Sequence, residues 1–396
     1  MSIISHQHHA LRLAWIVVLA LFPSTAVAQN WRVLTDDFAE QLIVPRAIDS
    51  TSIVGTNTRA EPTTIPWSKV VRVESTQTVK APAGRFVLKL RNGEAIAGEP
   101  GGLIDETLTW RSTLLGDWPV SLADVQSIDH PADDARPAPG EAVTEDTVFL
   151  SNGDLLRGIV SQITGSTLTV TASESTEVPW ASVARLELAS TTAVTTPTAR
   201  ESAAVEVSLV DGSRVRVKSV ALADDVWKIF TIAGQQKLID RAGISAIERL
   251  DGPVRWLSNL PLLESVQTPY LGAAQPAQMD ASVSGSALRF GGQTFSRGIG
   301  VHSYSRLTWA LDSGTQAVRF RYAVDGDLPY ADMTVRVLLD DKIAYEQPHV
   351  RAGVISDAVK VEVGQAKRLS LEVDMGDGYD IQDRLIWIEP ALIVAQ

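Results

Sequence analysis

The chain has 396 residues, a formal net charge of −12, 45% hydrophobic residues and no cysteine. That length allows roughly two to four domains with buried cores. The acidity disfavours nucleic acid and anionic membrane surfaces, whose binding depends on Lys and Arg neutralising phosphates. The lack of cysteine removes disulfides, thiolate metal sites and cysteine nucleophiles, and leaves the redox compartment open.

Residues 1–28 read as a signal peptide. Arg12 leads into an apolar run over 13–22, Pro23 ends that run, and Ala26-Val27-Ala28 presents small residues to a signal peptidase, so cleavage is expected before Gln29. The run would make about 15 Å of helix, against a hydrocarbon core of about 30 Å. The expected product is exported, periplasmic or extracellular, with no membrane insertion after cleavage.

Downstream, a unit recurs at intervals of about sixty residues. Phe86 to Arg91 runs into Asn92-Gly93, Val148 to Ser151 into Asn152-Gly153, and Val205 to Val210 into Asp211-Gly212. Asn-Gly and Asp-Gly tolerate the positive φ of two-residue hairpins, so each is expected to join two strands. After the third turn, Val215 and Val217 should face a core while Arg214, Arg216 and Lys218 face water. Further strands are expected at Leu108-Thr109-Trp110, Leu168-Thr169-Val170 and Trp227-Lys228-Ile229. Each copy closes on an apolar triplet suited to one helical turn and a short strand: Leu122/Val125/Ile128, Trp180/Val183/Leu186 and Ile244/Ile247/Leu250. Ile65-Pro66-Trp67 matches Val178-Pro179-Trp180, which marks an earlier, degenerate unit.

The expected units cover 29–82 (degenerate), 83–131, 143–190 and 203–251. Pro/Ala/acid-rich and Thr/Ala-rich linkers, expected to be exposed and mobile, separate the last three. The strand–turn–strand unit resembles small Sm-like or SH3-like barrels, without the basic aromatic platform that RNA binding needs. Trp67, Trp110, Trp180 and Trp227 are read as core residues.

From 252 to 396, short alternating strands separated by Gly/Asp turns point to an all-β sandwich. The carriers of a family resemblance follow one another here: Phe295-Ser296-Arg297-Gly298-Ile299-Gly300-Val301-His302-Ser303, Ser305 to Leu311, Phe320 to Asp327, Val335 to Lys342, and Gly376-Asp377-Gly378-Tyr379-Asp380 through Leu392. In that order they resemble the NPCBM family, carbohydrate-binding modules found beside glycoside hydrolases and related to the module of glycosyl hydrolase family 98. The resemblance implies a galactose-binding-like jelly roll whose loops at one end hold sugar. Arg384-Leu385-Ile386 departs from it, because the family usually has another acidic residue shortly before the tryptophan.

His302, Tyr304, Asp325, Asp327, Tyr379 and Asp380 are the candidate sugar-binding residues, since these loops mix aromatic and polar side chains. Bracing of the sandwich is the competing reading of His302 and Tyr304. Asp374, Asp377, Asp380 and Asp383 recur every three residues, as in oxygen-rich loops that coordinate calcium, but without EF-hand spacing, so solvated turns compete with a structural calcium. Beyond residue 28 the histidines are His130, His302 and His349, with no HExxH pair, no G-x-S-x-G elbow and no P-loop. No catalytic residue and no cofactor is expected. The leading expectation is a secreted, non-catalytic glycan- or polysaccharide-binding protein with the β units as spacers or docking units. The alternatives are an assembly protein whose module contacts other exported proteins and, below it, an enzyme or glycoside hydrolase accessory.

Overall fold

Alternation of apolar and polar residues gives strands in both halves of the chain, and the all-β expectation is borne out in the computed structural model, which describes residues 29–77, 84–130, 144–189, 204–270, 272–291 and 293–395. The expected signal peptide (1–28) and most of both expected linkers lie outside the described residues. Among the described residues the helices are short 3-10 turns, and none is long and apolar enough to cross a membrane.

Four units share one element order, and we call them A (31–75), B (86–129), C (146–187) and D (205–249). In unit B these elements are strands Phe86–Leu90, Ala95–Ile104, Thr107–Ser112 and Gly116–Ser121, a 3-10 turn Leu122–Asp124 and a closing strand Val125–Asp129. The long second strand pairs with the first up to Gly98 and with the third from Glu99 onward. A bulge at Pro100/Gly102 bends it around the core. Gly98 is required there, because a Cβ would overlap the Arg111 carbonyl oxygen.

The hairpins are present, but their turns differ from the two-residue expectation. Leu90 N–H donates to Glu94 O and Gly93 N–H to Leu90 O, each at 2.9 Å, so the loop is Arg91-Asn92-Gly93. Units C and D repeat the pattern, with Gly93, Gly153 and Gly212 at φ 90°, 90° and 89°. These are three-residue loops ending in a left-handed residue. Asn92 and Asn152 instead accept the N–H of Glu94 and Asp154 at 3.0 Å, and Asp211 accepts that of Ser213 at 2.9 Å. Unit A makes the same turn without a glycine. Thr35 N–H reaches Ala39 O at 3.1 Å and Phe38 N–H reaches Thr35 O at 2.8 Å, which puts Phe38 in the glycine position at φ 62°. A bulky residue held there stores on the order of 1–3 kcal/mol of strain.

The units join in nested pairs. The closing strands of B and C run antiparallel with Ile128 opposite Leu186, and those of A and D with Val73 opposite Ile247. Rings bridge the same pairs edge to face: Phe86 meets Trp180 at 5.4 Å and Trp31 meets Trp227 at 5.5 Å. Trp110, Trp180 and Trp227 are fully buried as expected, whereas Trp67 is only half-buried. On the face expected to be wet, Lys218 is exposed and Arg214 partly so, but Arg216 is covered by the turn of unit B. Arg216 is 8% exposed, and its N–H and Nη1 donate to Glu94 Oε1 and Asn92 O at 2.6 Å. The last apolar triplet also shifts: the 3-10 turn is Arg241–Gly243, so Arg241 stands where unit C has Trp180, and it caps Pro45 O at 2.7 Å.

From Val254 the chain forms two facing sheets. One orders Gln278–Met279, Gly298–His302, Arg384–Val394, Thr315–Val324 and Val359–Glu362, with Val254–Trp256 also on Arg384–Val394. The other orders Glu264–Gln267, Ser305–Ala310, Arg368–Met375, Met333–Leu339 and Lys342–Val350. Ile299, Val318, Phe320 and Trp387 meet Leu307, Trp309, Val335 and Leu371 in the sandwich core. The sandwich is docked on unit A through Val71, Trp256 and Ala391 on one side. On the other side it docks through Arg297, whose guanidinium donates to Glu248 (2.8 and 2.9 Å), Glu206 (2.8 Å) and Asp280 (2.6 Å).

Candidate functional site

The loop 376–383 follows strand Arg368–Met375 and is held against its neighbours by its backbone. A Cβ on Gly376 would overlap the Asp332 carbonyl, so only glycine allows this approach. Tyr379 and Gln382 take left-handed backbone at φ 58° and 63°. Asp380, 6% exposed, accepts the Tyr270 N–H at 2.8 Å, and this draws the 267–270 segment alongside. The two rings then stack, Tyr270 on Tyr379, with centroids 4.3 Å apart and planes at 19°. Tyr330, whose N–H donates to Gln382 Oε1 at 3.1 Å, adds a third exposed phenol.

Asp332 lies under the loop, accepting from His349 Nδ1 at 3.2 Å and Arg351 Nη2 at 3.4 Å. Ligand-type atoms of Asp332, His349 and Asp377 lie within 4.8 Å of one another. Those three donors include a nitrogen, and calcium takes six to eight oxygens. The four aspartates read as calcium ligands do not converge. Asp374 pairs with Arg336 at 2.8 Å, Asp380 holds Tyr270, and Asp383 accepts from Ser303 Oγ at 2.8 Å and Asp332 N–H at 3.1 Å.

Among the candidate sugar-binding residues, Tyr379 and Asp380 share this loop, with Tyr379 open to solvent and Asp380 positioning Tyr270. Asp327 is exposed beside the Gly326 turn. His302 is 8% exposed, with Nδ1 2.9 Å from Ser303 O. Tyr304 donates its hydroxyl to Glu372 at 3.0 Å, and burial together with Glu372 raises its pKa. Asp325 is half-buried beside Ser282, and burial raises its pKa. His302 and Asp325 both adjoin Arg384. Sequence reading missed Tyr270, Tyr330, His349 and Arg351. The only sequence signals were apolar rings flanked by turn residues, and they do not show which loops meet.

Burial pushes the Asp383 carboxyl up to about 6, against the Ser303 hydrogen bond. A raised folded value means the stabilising contribution is fully present below the unfolded value near 3.8 and is lost as the pH rises through about 6. Carboxyl carbon-13 NMR of the folded chain is expected to show Asp383 titrating near pH 6. A midpoint near 4 would contradict the burial argument.

Residues 254–393 match the NPCBM/NEW2 domain family. This C-terminal domain therefore carries the signature of a carbohydrate-binding module family, over about the last third of the chain. No curated protein matches the sequence. Among solved structures, the CBM51 module from Clostridium perfringens GH95, in complex with methyl-galactose, is 21% identical with a TM-score of 0.31, over 35% of this chain and 99% of that one. The tandem CBM51 modules of Sp3GH98, a family 98 glycoside hydrolase from Streptococcus pneumoniae, are 12% identical with a TM-score of 0.32, over 63% and 88%. The CBM51-2 and INT domains of Clostridium perfringens ZmpB, in complex with GlcNAc, are 18% identical with a TM-score of 0.32, over 47% and 43%. This chain thus spans under half of the ZmpB structure.

Proposed function

We propose that the protein is an exported, non-catalytic glycan-binding protein whose NPCBM/NEW2 domain holds sugar at the 376–383 loop. The carrying observation is the stacked, solvent-facing pair Tyr270 and Tyr379, with Tyr330 beside it and the polar group Asp332, His349 and Arg351 behind. Aromatic faces pack on the C–H face of a sugar, and a few oriented polar groups select its hydroxyls. The non-catalytic part of the reading is supported by the family of the C-terminal domain, a carbohydrate-binding module. Export rests on the signal pattern of residues 1–28.

Each hydrogen bond to a sugar hydroxyl gains only about 0.5–1.5 kcal/mol net, because the hydroxyl was bonded to water. With one aromatic platform, the expected affinity is on the order of 0.1–1 mM, or about −4 to −5.5 kcal/mol. A glycan array followed by calorimetry on the full chain tests this. Tyr379→Ala is expected to weaken binding at least about tenfold with little change in melting temperature, since the ring is exposed. Native-like binding by both Tyr379→Ala and Tyr270→Ala would refute the loop site. The same array separates the second reading, in which the module binds protein: an array blank for every glycan favours assembly. That reading draws support from Arg297, a residue of the module's own motif that is used for docking on unit D.

A further inference from the structure

A cavity of about 350 Å³ lies between unit A and the sandwich and shares no residue with the 376–383 loop. Arg32, Phe38 and Arg72 line it from unit A, and Phe295, Arg319 and Arg321 from the module. Its guanidinium groups are incompletely satisfied. Arg72 Nε, Arg319 Nη1 and Arg321 Nε are buried and have no hydrogen-bond acceptor. Arg32 and Arg72 have carboxylate partners at 3.5 Å, Glu40 and Glu74, and Arg321 pairs with Glu389. Arg319 makes no ion pair among the described residues; its guanidinium lies 3.9 Å from the centre of the Phe38 ring. Burial and the adjacent Arg321 hold the Arg319 pKa below the usual value, with Glu389 acting the other way, so an anion there would be favoured.

Phe38 is itself unusual. It occupies the left-handed position that the sister turns give to Gly93, Gly153 and Gly212, and that strained backbone places an aromatic ring on the cavity wall. Strain of this kind is retained where the local structure is tied to a function. Phe295 supplies a second ring, over which Arg321 lies at 5.4 Å.

We propose that this cavity binds a carboxylate-bearing sugar residue, with its carboxylate against the guanidinium of Arg319, the lining arginine that has no ion pair among the described residues, and its ring between Phe38 and Phe295. The guanidinium fork matches a carboxylate in two-point geometry, and its planar face also stacks on aromatic rings. The volume is in the range of small-molecule sites. The aromatic walls fit a pyranose face, and Glu40 and Glu74 can accept its hydroxyls.

The test is calorimetry of the full chain with glucuronic acid and galacturonic acid, against galactose, acetate and sulfate. At least one uronic acid is expected to bind with a dissociation constant on the order of 0.1–1 mM, and the three controls at least tenfold more weakly. Arg319→Gln is expected to weaken the uronate at least about tenfold. Phe38→Gly, which installs the sister residue and relieves the strain, should weaken it while leaving the melting temperature unchanged or raised, so the test survives if Arg319→Gln fails to fold. Tyr379→Ala should leave uronate binding intact, which separates this cavity from the loop site. No uronate binding, equal binding of any control, loss of uronate binding in Tyr379→Ala, or native-like binding by Phe38→Gly would each overturn the proposal.

Discussion

Replacing Arg297 with alanine is expected to lower the stability of the chain by about 3–5 kcal/mol, the range seen when one partner leaves a buried ion cluster. The side chains of Arg297, Glu206 and Glu248 are 5%, 3% and 5% exposed, so water cannot take over the missing contacts. Burial pushes Glu206 upward, but Arg297, Arg214 and Arg216 outweigh it and hold its pKa low. For Glu248 burial dominates, helped by Glu206, and its pKa is raised despite Arg297. Without Arg297 the two carboxyls face each other with burial as the main influence, and both shift upward. Groups with raised folded values contribute stability at acid pH that is lost as the pH rises through those values. The deficit should therefore be largest at neutral pH and shrink as the pH falls toward the ordinary carboxylate range. Urea unfolding of the full chain at several pH values measures it. The triple variant Arg297→Met, Glu206→Gln, Glu248→Gln should recover part of the loss, because it removes both buried carboxylates with the guanidinium and leaves Asp280 and Arg216 short of a partner. A loss below about 1 kcal/mol at neutral pH would mean the cluster does not fix the module on unit D.

How much of this was legible in the sequence depends on the range of the signal. Alternation and glycine turns are local, and they located the strands of the repeats and the module. The same turns were legible as hairpins but not as three-residue loops, because Asn92 keeps ordinary backbone and uses its side chain to accept the Glu94 N–H. The exposed reading of Arg216 failed because the covering Glu94 comes from another unit, 122 residues away in sequence. Arg297 was visible only as a letter in a family motif, since its partners Glu206 and Glu248 belong to a different domain. The loop site divides in the same way. Tyr379 and Asp380 were found through the motif that carries them, whereas Tyr270 is 110 residues from Asp380 and joins it through a backbone hydrogen bond that no spacing rule anticipates. His302 was promoted by its histidine chemistry, but every residue of strand Gly298–His302 is buried, His302 included.

Trp180→Ala should cost about 3–5 kcal/mol, while Trp67→Ala, at the matching position of unit A, should cost about 1 kcal/mol or less. The sequence around the two is nearly the same, Val178-Pro179-Trp180 against Ile65-Pro66-Trp67, and both open a 3-10 turn. Their surroundings differ. Trp180 is 1% exposed, its Nε1 donates to Thr164 O at 3.0 Å, and its edge meets Phe86 of unit B. Truncation would therefore leave a cavity at the B–C seam and an acceptor without its donor, two effects that add. Trp67 is half-buried, so solvent fills the gap its ring would leave. Its ring packs only at the edge of the core, and part of its structural contribution comes from the main chain, since Trp67 O accepts Arg249 Nη1 at 2.8 Å, and alanine keeps that carbonyl. Arg249 also reaches Ser68 O at 2.8 Å, so the A–D seam should persist in Trp67→Ala. Thermal and urea unfolding of the two single variants decide the matter. Equal losses would mean that position within the repeat, rather than burial at the seam, sets the cost.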